Sequence, residues 1–207
     1  GETLECQVQL WGDSEVRILQ AGSGKVGKGP EGLPGSLPVP DSGIHKLCLR
    51  RPESLRKPSS STWGIVRQIL LDSKVEEPRV HWRTLQQLGD QIWTWDPWTL
   101  ILAGSRLVGI EPKDTTDHLY GMAFDVGTTT VVGYLLHLGT GNQVALSSML
   151  NPQAVFGADV ISRISLAGTN PSGLQLLQDR IIGALNSIIA EVAASAQIDQ
   201  TSIYALS

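Results

Sequence analysis

Residues 124–132 read FDVGTTTVV. An apolar run ends in one carboxylate, Asp125, then turns at Gly127 into Thr128, Thr129 and Thr130. These residue types make a poor core and a good seat for a phosphate. Glycine allows a tight turn and a close approach of backbone to a ligand. Successive N–H groups around a turn form an anion-binding concavity, and the threonine hydroxyls add donors. Asp125 alone would repel a phosphate, so it implies a divalent cation between the two, Mg²⁺ held through water. The competing reading is a β-hairpin with a polar turn and no ligand.

A second glycine-rich stretch, GSGKVGKG at 22–29, imitates the same chemistry. It matches GxGxxG, and Lys28 falls where a P-loop lysine would. Gly29, however, stands where a hydroxyl for the metal is needed, and PEGLP follows. Both motifs require a helix at that point, because its N-terminal N–H groups hold the phosphates. No helix starts in PEGLP, so the stretch reads as linker. Cys6 and Cys48 are the only cysteines, and the four histidines are scattered. The chain by itself lacks the ligands for a zinc or iron–sulfur site.

Net charge is −4 and the pI about 5.5, with 41% hydrophobic and 17% charged residues, so no basic excess points to nucleic acid or to an anionic membrane surface. No run reaches the roughly 20 apolar residues of a membrane span. No signal peptide opens the chain, and a cytoplasmic protein is expected.

The elements that must position the hairpin follow from periodicity. GETLECQVQLWGDSEVRILQ alternates like one or two short strands, and residues 21–43, dense in Gly and Pro, read as linker. IHKLCLRR predicts a strand, and STWGIVRQILLDS a short helix with Ser61 or Thr62 near its N-cap. HWRTLQQLGDQIWTWD predicts a helix with Leu85, Leu88, Ile92 and Trp95 on its stripe. WTLILAGSRLVGIEP predicts a hairpin turning at Gly104-Ser105. Trp82, Trp93, Trp95 and Trp98 are read mainly as core. Pro112–Asp117 is a polar joint. Beyond it come three strands (LYGMAFDVG, TTVVGYLLHL, QVALSSML), a helix in FGADVISRISLA, and a long helix with Leu177, Ile181, Leu185, Ile188 and Val192 on one face. Either Asn170 with Pro171 or a Ser172/Gln175 capping box starts the long helix. SIYALS begins a strand as the chain stops, which suggests a piece of a longer protein. Three parts result: 1–43, 44–117 and 118–207.

Three antiparallel strands, then helices and another strand, resemble the ribonuclease-H-like half of the actin-like ATPases. The expected fold is therefore a small α+β unit followed by the N-terminal part of such a domain. In that superfamily the first hairpin is the phosphate loop. The resemblance implies that Gly127, Thr128, Thr129 and Thr130 contact the terminal phosphates of ATP and that Asp125 serves Mg²⁺. A narrower likeness lies in GMAFDVGTTTVVGYLLHLGTG followed by NPQAVFGADVISRIS. Together these resemble the ATP-dependent reductive activators of corrinoid proteins, which carry a [2Fe-2S] ferredoxin domain, a linker, a small middle domain and an actin-like domain. LECQV resembles the segment with the last cluster cysteine of a [2Fe-2S] ferredoxin, which implies Cys6 as the fourth ligand in the intact protein. The likeness is specific from 121 to 165 and loose before that.

What the resemblance implies is ATP-coupled transfer of an electron from the cluster to cobalt(II) in a corrinoid partner of a methyltransferase system, with no nucleic acid or membrane involved and a homodimer left open. Without a second lobe, this stretch alone is expected to bind nucleotide weakly. A sugar-kinase-like phosphotransferase and a non-catalytic docking module remain alternatives. Asn151, Gln153 and Asp159 have no assigned chemical step; bracing of the loop is preferred over lining a cleft. The plainest reading of Asp159 and Arg163 is an i,i+4 surface pair.

Overall fold

Two runs of strands, separated by the polar joint, build two sheets. The computed structural model describes residues 41–50, 61–91 and 94–207, all within the unit Pro34–Ser207. The strands expected in 1–20, most of the linker with Lys28, and Cys6, Ile92 and Trp93 lie outside the described residues.

The first sheet has the order β1-β3-β4-β2, from β1 (Ile44–Leu49), β2 (Arg79–Val80), β3 (Trp98–Ala103) and β4 (Arg106–Pro112). β3 is buried on both faces, as its unbroken apolar run WTLILA requires of a central strand. It turns into β4 through Gly104 (φ +57°) and Ser105, the expected two-residue hairpin. Helix α1 (Thr62–Asp72) starts at Ser61, whose hydroxyl accepts from the Gly64 N–H, and it buries Val66 and Leu70 one turn apart.

Helix α2 (Trp82–Gln91) differs from its expected stripe. Its buried positions are Thr84 and Leu88, while Leu85 is exposed and Trp95 falls beyond the helix end, packed on the core. The Thr84 hydroxyl donates to the Val108 carbonyl at 2.9 Å, and this bond turns the helix so that Thr84 faces β4. Of the tryptophans, Trp98 is fully buried and Trp82 is exposed beside His81 and Arg83. The two-residue β2, parallel to β4, had no sequence signal.

The second sheet has the order β7-β6-β5-β8, from β5 (Tyr120–Val126), β6 (Thr130–His137), β7 (Gln143–Leu150) and β8 (Ile203–Leu206). β5, β6 and β7 form an antiparallel meander, and β8 runs parallel to β5. After β7 come a 3-10 helix (Pro152–Phe156), α3 (Val160–Thr169) and α4 (Gly173–Ala196).

Helix α4 crosses the sheet with Leu177, Ile188 and Val192 buried and Ile181 and Leu185 packed at the edge of the stripe, as periodicity predicts. It sits so close to β6 that a Cβ on Gly133 would lie 2.4 Å from Ile188 Cγ2. It starts after Ser172, one of the two expected N-cap positions, but without the capping box. Ser172 makes no side-chain cap, and Asn170 instead accepts from the Ser172 N–H in a turn that joins α3 to α4. Gln175 bonds Asp179.

A buried polar knot ties the two sheets. Lys46 of β1, with a side chain only 1% exposed, donates to Glu111 Oε2 at 2.8 Å and to the Thr115 and His118 carbonyls at 3.0 and 2.8 Å. The hydroxyls of Thr115 and of Tyr204 in β8 donate to the two oxygens of Glu111. Lys46 also lies 4.6 Å from the Tyr204 ring centre. The joint is thus pinned rather than loose, with Thr99 accepting from the Thr115 N–H as well.

Burial pushes the Glu111 carboxyl up, but the hydrogen bonds from Lys46, Thr115 and Tyr204 outweigh it and hold it below its usual range. Burial and then the carboxylate push the Tyr204 hydroxyl far up, so it stays a donor. A carboxyl whose native value is depressed adds stability above its unfolded value and loses it on acidification. The contribution of Glu111 is therefore complete above about pH 5 and fades as pH falls through the depressed native value. We expect Glu111→Gln to cost on the order of 2 kcal/mol or more at neutral pH, because it strands the buried ammonium. Urea unfolding at pH 7 and pH 3 checks this: the gap between variant and wild type should shrink at the lower pH.

Candidate functional site

The hairpin between β5 and β6 ends on the pair Val126–Val131, and the Gly127 N–H donates to the Thr130 carbonyl at 2.9 Å. The next carbonyls are all claimed from below. Gly127 O accepts from Asn151 Nδ2 at 2.8 Å, Thr128 O from Arg163 Nη2 at 2.6 Å, and Thr129 O from the Asn151 N–H at 2.8 Å. A trans peptide holds its C=O and N–H on opposite sides. Fixing the carbonyls of Gly127 and Thr128 inward therefore turns the N–H groups of Thr128 and Thr129 outward. Among the described residues those two N–H groups have no hydrogen-bond partner, nor do the hydroxyls of Thr128, Thr129 and Thr130. Thr128 and Thr129 are exposed.

The brace is built from the segment after β7. Asn151 is buried and caps the 3-10 helix, its Oδ1 accepting from the Gln153 N–H at 2.9 Å with Pro152 at the first helical position. Gln153 donates to the Leu177 carbonyl of α4 at 3.0 Å and accepts from Arg163 Nη1 at 3.3 Å. Arg163 Nε donates to the Gly157 carbonyl at 3.0 Å. The bracing expected of Asn151 and Gln153 is what the geometry has.

The surface pair of Asp159 and Arg163 is not present. Arg163 is 8% exposed and turned under the hairpin, while Asp159 caps α3 by accepting from the N–H and hydroxyl of Ser162. Those bonds, first the backbone one, hold the Asp159 carboxyl below its usual range, and Arg163 adds least. Arg163 is the site residue that spacing missed. Its sequence neighbours mark it as an exposed helical cation, and only the fold brings it to residue 128.

Each implied ligand can be set against these residues. A Cβ on Gly127 would meet the Thr130 carbonyl at 3.0 Å, so the turn needs glycine for its tightness, whereas positive φ occurs at other described glycines, such as Gly104. The two outward N–H groups and three hydroxyls fit a phosphate oxygen cluster. Asp125 is the next-to-last residue of β5, is exposed, and its carboxylate has no ion pair or hydrogen bond among the described residues. One exposed carboxylate beside outward-facing N–H donors has the chemistry to hold a Mg²⁺ that keeps most of its waters.

A [2Fe-2S] cluster does not fit this chain. It takes four thiolates as a rule, the sequence has two, and Cys48 lies within β1 as a free thiol. The hairpin tip is open surface. Two cavities among the described residues lie elsewhere: one of about 330 Å³ lined by His45, Lys46 and Thr116, and one of about 620 Å³ between α3 and α4, bordered by Gln153 and Arg163. No described helix is long and apolar enough to cross a membrane.

The molecule is thus a mixed α/β protein with two small sheets, one of which offers a braced, donor-rich hairpin. Residues 120–207, which form that second sheet and its helices, match the family model described as the RACo middle region. The corrinoid activation enzyme RamQ of Eubacterium limosum is 42% identical over 106 residues, 51% of this chain and 18% of the relative. A solved reductive activator for corrinoid, iron–sulfur protein shares the fold with a TM-score of 0.64 at 24% identity, over 79% of this chain and 27% of the other. The chain therefore spans under a third of the length of either relative. Residues 120–207 are thus similar to the middle region of corrinoid activators, as the sequence resemblance led one to expect.

Asn151→Ala removes the Gly127 bond and the 3-10 cap together. It should cost about 1–3 kcal/mol, the penalty for buried carbonyls and N–H groups left unpaired. Hydrogen exchange should show the amides of Gly127 and Gln153 losing protection while those of β3 and β4 do not change.

Proposed function

We propose that this chain is the nucleotide-sensing part of an ATP-dependent reductive activator of a corrinoid protein. The observation that carries the reading is the braced hairpin, whose N–H groups and hydroxyls face outward beside Asp125. In this reading residues 118–207 are the first half of an actin-like, ribonuclease-H-like domain, and residues 44–117 are a small middle domain. The strand order β7-β6-β5-β8, with β8 parallel to β5, supports that assignment. So does the name of the 42% identical relative, a corrinoid activation enzyme.

The residues divide the work simply. Gly127 lets the backbone approach the terminal phosphate. The Thr128 and Thr129 N–H groups and the threonine hydroxyls bind its oxygens. Asp125 holds Mg²⁺ through water, and the metal offsets the charge of the phosphates. Since the turn is open surface, the opposite wall of the nucleotide cleft comes from another part of the protein. Cobalt(II) takes up one electron to become cobalt(I), a step that is uphill for an ordinary donor; each 59 mV or so of deficit is a factor of ten in the equilibrium. The electron would come from a reduced [2Fe-2S] cluster of the intact protein, which is oxidised by one electron in the step and lies outside the residues described. These residues supply the coupling: ATP, held by the hairpin, binds the closed cleft of the intact protein more tightly than the open one, and that difference shifts the complex with the corrinoid partner.

The test is cobalt reduction in the partner, followed by visible absorbance in the intact protein with and without Mg-ATP. Asp125→Ala should lower the ATP-dependent rate on the order of 100-fold and leave the melting temperature unchanged. Wild-type turnover by that variant contradicts the reading.

A further inference from the structure

Arg163 is a buried cation that makes no ion pair among the described residues. The residue is 8% exposed, and its guanidinium donates to neutral oxygens: the carbonyls of Thr128 and Gly157 and the amide oxygen of Gln153. Among the described residues no carboxylate pairs with it, and Asp159, one turn away, commits its carboxylate to Ser162. Its position is also unfavourable by helix electrostatics, since the first turn of α3 is the positive end of the helix. Holding carbonyl oxygens needs only a neutral amide, as Asn151 demonstrates at Gly127. A charge retained at such cost, in such a place, calls for an anion nearby.

The hairpin is where that anion would sit. Arg163 Nη2 bonds Thr128 O at 2.6 Å, and the same peptide unit carries the Thr129 N–H on its opposite side. A cation on the carbonyl polarises the peptide and makes that N–H a stronger donor. We propose that Arg163 is a positioning residue that sets the phosphate selectivity of the hairpin. It fixes the peptide plane so that the Thr129 N–H faces the ligand, and it lends the turn the positive potential that discriminates the charged phosphate end of ATP from an uncharged nucleoside. This rests on the phosphate-loop reading above.

The experiment measures the affinities of Mg-ATP and of adenosine for the intact protein by calorimetry, in the wild type, Arg163→Met and Arg163→Lys. Arg163→Met should weaken ATP on the order of tenfold or more and leave adenosine unchanged. Arg163→Lys, which keeps the charge and loses the fork of bonds, should recover part of the ATP affinity. Equal losses for ATP and adenosine would make Arg163 a fold residue only and overturn the proposal. So would an unchanged ATP affinity. If Arg163→Met does not fold, Arg163→Lys decides alone: a several-fold loss confined to ATP supports the proposal, and no loss, or one shared with adenosine, overturns it. A wild type with no preference for ATP over adenosine overturns the phosphate-loop reading, and this inference with it. A wild type with the preference, shared fully by Arg163→Met, overturns only this inference.

Discussion

A peptide unit cannot present its carbonyl and its N–H to the same side. The hairpin at 127–130 depends on that constraint. By taking the carbonyls of Gly127, Thr128 and Thr129 from beneath, Asn151 and Arg163 leave the outer surface of the turn to N–H groups and hydroxyls. The same turn without the brace would be free to flip its peptides and expose carbonyls, which repel phosphate. The surrounding architecture serves this arrangement. Gln153 anchors the brace to α4 through Leu177 O, and α4 is seated on β6 by the space that Gly133 leaves for Ile188. The chain thus runs from a helix–sheet packing contact to the orientation of two backbone donors.

The knot of Lys46, Glu111, Thr115 and Tyr204 gives the hairpin's sheet a fixed neighbour. Tyr204 lies in β8, beside β5, and Lys46 in β1 of the first sheet. A buried ion pair is weak support for stability in itself, since desolvation offsets much of its attraction. Its directionality matters more here. Every polar atom of Glu111 and Lys46 has a partner at a defined position, so the sheets cannot slide without stranding a charge. If the hairpin senses a nucleotide, a rigid connection of this kind passes the displacement on instead of absorbing it.

Much of this was legible in the sequence, and the physical reasons differ from element to element. β5, β6 and the long stripe of α4 followed directly from periodicity, because each buries one face over many residues. Ser61 announced α1 because an N-cap is a local interaction. The turn at Gly104-Ser105 was equally local. The failures share a cause. Leu85 was assigned to the core and Thr84 was not, since hydrophobicity weighs side chains and ignores the bond from Thr84 to Val108 O. The sequence offers both Asn170 and Ser172 as the cap of α4; Ser172 holds that position, but its capping box is absent because Asn170 takes the Ser172 N–H and Gln175 bonds Asp179. Arg163 reads as a surface cation in the sequence because its partners lie 6, 10 and 35 residues away. Of the candidate site, then, the donors were readable in DVGTTT, and the device that aims them was not.

The account turns on the Thr128 and Thr129 N–H groups as the phosphate contact. Backbone amide NMR of the intact protein, titrated with Mg-ATP and separately with adenosine, tests it most directly. The prediction is that the amide protons of Thr128 and Thr129 move downfield with Mg-ATP and exchange more slowly with solvent, and that adenosine leaves both unmoved. If Mg-ATP binds and these two amides keep their free positions and exchange rates, the hairpin does not hold the phosphate and the account is wrong.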